Sequence, residues 1–149
     1  MEFHSNVELV RHVYDVVGRY LHGERESAAS ELREVVYPGA AVMPSSALPS
    51  GSIGPYYGPE GMMEFWDAVR ENWTTFELTP EELVDAPPDT VVAVCRVVAS
   101  GEDRRGFAVQ VAHVWQIEEG KVAGSTSFQS PDLAFANAGL TRPRTHEEP

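Results

Sequence analysis

Cysteine is almost missing from this chain: Cys95 is the only one in 149 residues. No disulfide can form within the chain. Cys95 sits in the apolar run Val91–Val98, which reads as the setting of a buried, unreactive thiol. Positive charge is also scarce, with 11 Lys and Arg against 23 Asp and Glu and a net charge of −12. Such a surface repels nucleic-acid phosphates and acidic lipid headgroups, so neither is an expected partner. Lys121 is the only lysine, and the preference for Arg hints at a GC-rich bacterial genome. No apolar run is long enough to span a membrane. The opening Met1-Glu2-Phe3-His4 has neither the basic nor the apolar segment of a secretory leader, and a cytoplasmic protein is expected. The histidines show no metal-ligand spacing and there is no Cys cluster. Neither a metal nor a cofactor is expected.

What remains is 42% hydrophobic, enough for one core. The expected organisation is a single domain over residues 1–140 with a polar tail over 141–149. Ser5 or Asn6 can cap a first helix, whose stripe is Val10, Val13, Val17 and Leu21. Gly23 ends it, and a shorter helix follows over Glu24–Glu34. A strand over Val35–Met43 leads into a Gly/Pro-rich loop from Pro44 to Pro59. Pro59 suits the first turn of a third helix, with Met62, Phe65, Trp66, Val69 and Trp73 on its buried face. Four strands follow: Phe76–Val84, Val91–Ser100, Phe107–Ile117 and Val122–Gln129. The last two are joined by a Glu119-Gly120 turn. Pro131 opens a short closing helix. Helices first and then a run of antiparallel strands predicts an α+β fold, a cone-shaped α+β barrel with the N-terminal helices packed on a strongly curved sheet. The mouth of such a cone is a natural pocket.

This order resembles the nuclear-transport-factor-2-like superfamily, and most closely its SnoaL-like, polyketide-cyclase-like branch. The resemblance is carried by Tyr57-Gly58-Pro59-Glu60-Gly61-Met62-Met63-Glu64-Phe65-Trp66, by Ala112-His113-Val114-Trp115, and by Glu119-Gly120-Lys121-Val122. It covers about Val7 to Leu140, and it implies a fold that hosts both enzymes and non-enzymes. The ketosteroid isomerases of this fold use a carboxylate base, a tyrosine and a protonated aspartic acid. Those positions fall on Met43, near Val16 with Tyr14 the nearest phenol, and on Ala112, so that chemistry is disfavoured. The Asp-Arg-Asp group of limonene epoxide hydrolases falls on Ser127, Arg96 and Val98, where only the Arg survives. In SnoaL-type cyclases an acid often ends the last strand. That position is Ser130 here, with Asp132 two residues on.

Strand parity with the resemblance places Ser125, Ser127 and Gln129 inward, and Arg96 beside Val94 and Val98 inward as well. A buried Arg needs an anionic partner. His113 has two readings. Inward, it is the best proton carrier in the chain; on the outer face, it is a structural residue. Tyr57 is expected either over the pocket mouth or as an aromatic anchor of its loop, and Trp66 and Met43 in the pocket wall or in plain core. The expected function is a small-molecule pocket protein that binds a small hydrophobic, oxygenated ligand such as a polyketide or terpenoid. It would run cofactor-free acid–base chemistry of cyclase, isomerase, dehydratase or hydrolase type. In that reading His113, Arg96 and Asp132 are catalytic. Ser127, Gln129, Tyr14, Tyr57, Trp66 and Met43 bind the ligand. The resemblance also implies a homodimer through the outer face of the sheet. The alternative is a non-catalytic binder or a dimerising accessory protein whose pocket is plugged by Trp66, Phe128 and Met43.

Overall fold

A computed structural model describes residues 3–44, 55–102 and 106–140. The C-terminal tail and the middle of the Gly/Pro-rich loop lie outside the described residues. Helix α1 (Asn6–Leu21) starts where Ser5 accepts the Glu8 backbone N–H, a cap worth about 1 kcal/mol. The predicted stripe is buried on it, together with Leu9, Tyr14, Val16 and Tyr20. Gly23, at φ 110°, turns the chain into α2 (Arg25–Val35). Strand β1 (Val36–Met43) follows, then a two-residue strand β2 (Tyr56–Tyr57) and helix α3 (Gly58–Asn72). The long strands are β3 (Thr75–Ala86), β4 (Thr90–Ser100), β5 (Phe107–Glu118) and β6 (Lys121–Phe128), and α4 (Pro131–Asn137) closes the described chain.

The six strands form one sheet in the order β2-β1-β6-β5-β4-β3. Only β1 and β6 run parallel; every other neighbouring pair is antiparallel. Register shifts fall within β1, at Pro80/Glu82 in β3 and at Gln116/Ile117 in β5. Such irregularities bend strands and deepen twist, and this is how the sheet curls around α1, α2 and α3. The hairpin between β5 and β6 turns on Glu119 (φ 48°) and Gly120 (φ 79°), the two left-handed residues that a tight two-residue turn requires. At the far edge, β3 carries Glu77, Glu81, Glu82 and Asp85 exposed. Charge on an edge strand discourages pairing with another chain.

The main core lies between the three helices and the concave face of the sheet. There Val91, Ala93, Cys95, Val97 and Ala99 of β4 meet Val111, Trp115 and Ile117 of β5. The alternate residues of the same strands, Val92, Val94, Ala112 and Val114, pack on the convex face against Ala134 and Phe135 of α4. Ion pairs tie the helices together: Arg19 to Glu31 at 2.7 Å, and Arg25 to Asp67 at 2.8 Å. These pairs are partly exposed, so they orient the helices more than they stabilise them. The glycines of the Tyr57–Trp66 segment have a packing reason. A Cβ on Gly58, at φ 70°, would sit 2.5 Å from the Pro38 carbonyl oxygen, and one on Gly61 would sit 3.0 Å from the Tyr56 backbone. Glycine lets α3 start tight against β1 and β2, and that start places Met62, Phe65 and Trp66 in the cone. No helix among the described residues is long and apolar enough to cross a membrane.

Candidate functional site

The concave face encloses a cavity walled by Tyr14 and Val17 of α1, Met62, Phe65 and Trp66 of α3, Val42 and Pro44 at the end of β1, and Leu78, Val97, Val111, His113, Trp115, Ser125 and Ser127 of the long strands. About 40 Å³ of it is open to the centre of a water molecule, more than the roughly 10–15 Å³ that one water needs. None of these lining residues is an Asp, Glu, Lys or Arg. The polar groups are Tyr14, His113, the indole N–H groups of Trp66 and Trp115, and two serines.

Three of those groups form one chain of contacts. The Trp115 indole Nε1–H donates to the Tyr14 hydroxyl at 2.9 Å, and that hydroxyl meets His113 Nδ1 at 2.5 Å. Cys95 Sγ lies 3.8 Å from the same Nδ1. The rings stack and cross at 5.5 to 6.1 Å between centroids. The backbone explains the convergence. Ala93 faces His113 across β4 and β5, and His113 faces Ser127 across β5 and β6, so these side chains share the inner face. Tyr14 lies on the buried face of α1, which packs into the cone above them.

Burial sets the electrostatics. It pulls the His113 imidazole down to about 4, so the ring is neutral at pH 7. Burial pushes the Tyr14 phenol well above its ordinary range, and the neighbouring Cys95 raises it further. The Cys95 thiol, again chiefly through burial, is pushed up to about 12 and stays protonated. Cys95 is fully buried, as its apolar run predicts, and a neutral thiol is a poor nucleophile.

The structure brings together four of the residues singled out in the sequence: His113, Tyr14, Trp66 and Ser127 all line the cavity. Of the two positions open to His113, inward or on the outer face, the structure shows the inward one. Arg96 is the main correction. It is exposed on the convex face, paired in register with Gln110 and Thr79. The inward residues of β4 are Val91, Ala93, Cys95, Val97 and Ala99, so Val94 and Val98 also point outward with Arg96. The run Val91–Cys95 is buried on both faces because α4 covers the outer one, and this hid the alternation. Met43 is 39% exposed, and its neighbour Val42, opposite Ser125, takes the inward place. Tyr57 is 59% exposed and does not line the cavity. Gln129 lies past the end of β6 and is exposed, and Asp132 is exposed in the first turn of α4, on the convex side of the sheet. Phe128 packs with the α4 cluster rather than in the cavity. Sequence reasoning passed over Trp115 as a polar contributor. Its signal was there: it stands two residues from His113 and therefore on the same face of the strand.

Four helices around a curved, mainly antiparallel six-stranded sheet, with a cavity at the concave face, define the cone-shaped class of nuclear-transport-factor-2-like proteins. Within that class the chain belongs to the SnoaL-like domain family, whose model matches residues 16–125. Solved structures agree on the fold. A protein from Jannaschia sp. described as a SnoaL-like polyketide cyclase is 16% identical, with a TM-score of 0.63 over 97% of this chain and 100% of that one. TerC, co-crystallized with polyporic acid, is 18% identical, with a TM-score of 0.61 over 85% of this chain and 96% of that one. An NTF2-like protein from Burkholderia thailandensis is 21% identical, with a TM-score of 0.61 over 86% of this chain and 97% of that one. No curated protein matches the chain in sequence.

Proposed function

We propose that this protein binds a small, largely apolar, oxygenated molecule in the cone and acts on it by cofactor-free acid–base chemistry of the cyclase or isomerase type. The observation that carries the reading is the buried Tyr14–His113 contact at 2.5 Å inside an otherwise apolar cavity. A polar pair is costly to bury there, and its histidine has a second ring nitrogen left for a ligand. The pocket-plugging alternative loses support, because Met43 and Phe128 lie outside the cavity. TerC, a protein of this fold, was crystallized with the organic ligand polyporic acid, which fits a ligand role for the cone.

In this reading His113 is the residue that touches the reacting oxygen, with Tyr14 holding its ring. A carbonyl oxygen hydrogen-bonded to His113 makes the adjacent α C–H bond more acidic. That bond breaks with its proton passing to a hydroxide from solvent, which becomes water. Its electron pair moves into the enolate, whose oxygen the imidazole stabilises, and a solvent proton then returns to the carbon. Ser127 orients the ligand, and Trp66 supplies apolar contact. Arg96 and Asp132 take no part, since both stand on the other side of the sheet. The non-catalytic binding reading rests on one observation of its own: no carboxylate lines the cavity to serve as a base. Deuterium exchange at the α-carbons of cyclohexanone in D2O separates the two. Acid–base chemistry predicts exchange above background by the wild-type chain that His113→Gln and Tyr14→Phe lose. Binding without exchange supports the binder. The reading also includes a cytoplasmic homodimer through the convex face, where Val98 is 44% exposed; sedimentation analysis at micromolar concentration tests the dimer.

A further inference from the structure

The direction of the hydrogen bonds in the cone follows from the proton inventory of three of its polar rings. An indole N–H can only donate, so the 2.9 Å contact makes the Tyr14 oxygen an acceptor toward Trp115. The one hydroxyl proton of Tyr14 is then free to point elsewhere, and the nearest acceptor is His113 Nδ1 at 2.5 Å. The other neighbour of Nδ1 is the Cys95 sulfur at 3.8 Å, which is a protonated thiol and so a weak donor as well. The Tyr14 hydroxyl and the Cys95 thiol can both donate to Nδ1, and in that arrangement Nδ1 carries the lone pair. In a neutral imidazole the single N–H then sits on Nε2. His113 lines the cavity and has no polar partner beyond Tyr14 and Cys95 among the described residues, and its Nε2 is not sealed from solvent.

We propose that Trp115 and Tyr14 lock His113 in the Nε2–H form, so that the cone presents a neutral hydrogen-bond donor and selects neutral carbonyl compounds over carboxylates. This rests on the cavity being the ligand site, and it adds which atom of the ligand is read. A ketone or ester oxygen accepts from Nε2–H and brings no charge into the apolar wall. A carboxylate would lose its hydration with no cation to meet it: Arg96 is outside, and none of the cavity's lining residues carries a positive side chain. A ligand whose only polar group is a donor would face an N–H it cannot satisfy. Trp115 and Tyr14 act here as positioning residues, through the tautomer they impose.

Two measurements on the wild-type chain test this. The imidazole nitrogen shifts of His113 in a 15N-labelled sample report the tautomer directly at pH 7. Titration with cyclohexanone and with cyclohexanecarboxylate, matched in ring and differing in charge, reports the selection. The expected result is the Nε2–H tautomer and a ketone bound at least about tenfold tighter than the carboxylate, with the ketone moving the His113 Nε2–H resonance. An Nδ1–H tautomer, or a carboxylate bound as tightly as the ketone, overturns the inference while leaving the cavity as a ligand site. If neither ring compound binds although the Nε2–H tautomer is found, the cavity reading itself fails, and the selection falls with it.

Discussion

Cys95 and Arg96 are neighbours in sequence, yet they belong to two different environments. Cys95 is on the concave face, fully buried beside His113; Arg96 is in solvent on the convex face. The same division runs along β5, where His113 and Trp115 look into the cone while Ala112 and Val114 pack under α4. Because the side-chain period of a strand is two, one step of register exchanges the whole chemistry of a strand. The concave face holds a few neutral polar groups in an apolar wall. The convex face holds a small sealed cluster and, beyond it, ordinary exposed side chains. The proposed ligand site thus uses one parity of these strands only, and substitutions on the two faces should read out differently.

The largest effect is expected on the convex side. Phe135→Ala removes the fully buried anchor of α4 and should cost about 3–5 kcal/mol in chemical denaturation, while cyclohexanone affinity of the folded fraction stays unchanged. A coupled loss of affinity would break the division between the faces. On the concave side, Tyr14→Phe leaves the Trp115 N–H and His113 Nδ1 without their partner and should cost about 1–3 kcal/mol. It also frees the His113 ring to change tautomer, which the 15N shifts would record. A third effect depends on pH. The His113 pKa is about 4 folded against 6.5 as the ordinary value, so between those limits the unfolded chain binds more protons than the folded one. Stability should fall as pH drops from about 6.5 towards 4, by up to roughly 1.4 kcal/mol per unit, and His113 should add nothing further below that window. His113→Gln should flatten that part of the urea-midpoint profile; an unaltered slope would mean that His113 is not buried neutral. The smallest effect is that of Arg96→Ala, within about 0.5 kcal/mol and without change in ligand affinity.

Much of the fold was legible because it rests on local rules. The helical stripe of α1, the Glu119-Gly120 turn and the entry to α3 each follow from spacing or from a backbone demand visible in one stretch of chain. The strand β2 escaped notice, as two residues between a loop and a helix carry no periodic signal. The site was legible in part. His113, Tyr14, Trp66 and Ser127 stand out in the sequence, but the contact that joins Tyr14 to His113 spans 99 residues, and no local pattern encodes it. The inward expectation for Arg96 comes from the family resemblance, and Val91–Cys95, apolar at every position, offers no alternation to check it against. An all-apolar run does not reveal which face is which until its cover, here α4, is known. The polar residues Arg96 and Ser100 were the better guide to parity, since unpaired charge belongs on the wet face.

The most direct test is a structure of the protein with cyclohexanone bound. The account predicts the ketone within the cone, its oxygen about 2.7–3.2 Å from His113 Nε2 and its ring against Trp66. A ketone seated elsewhere, or one in the cone with its oxygen turned away from His113, would contradict it.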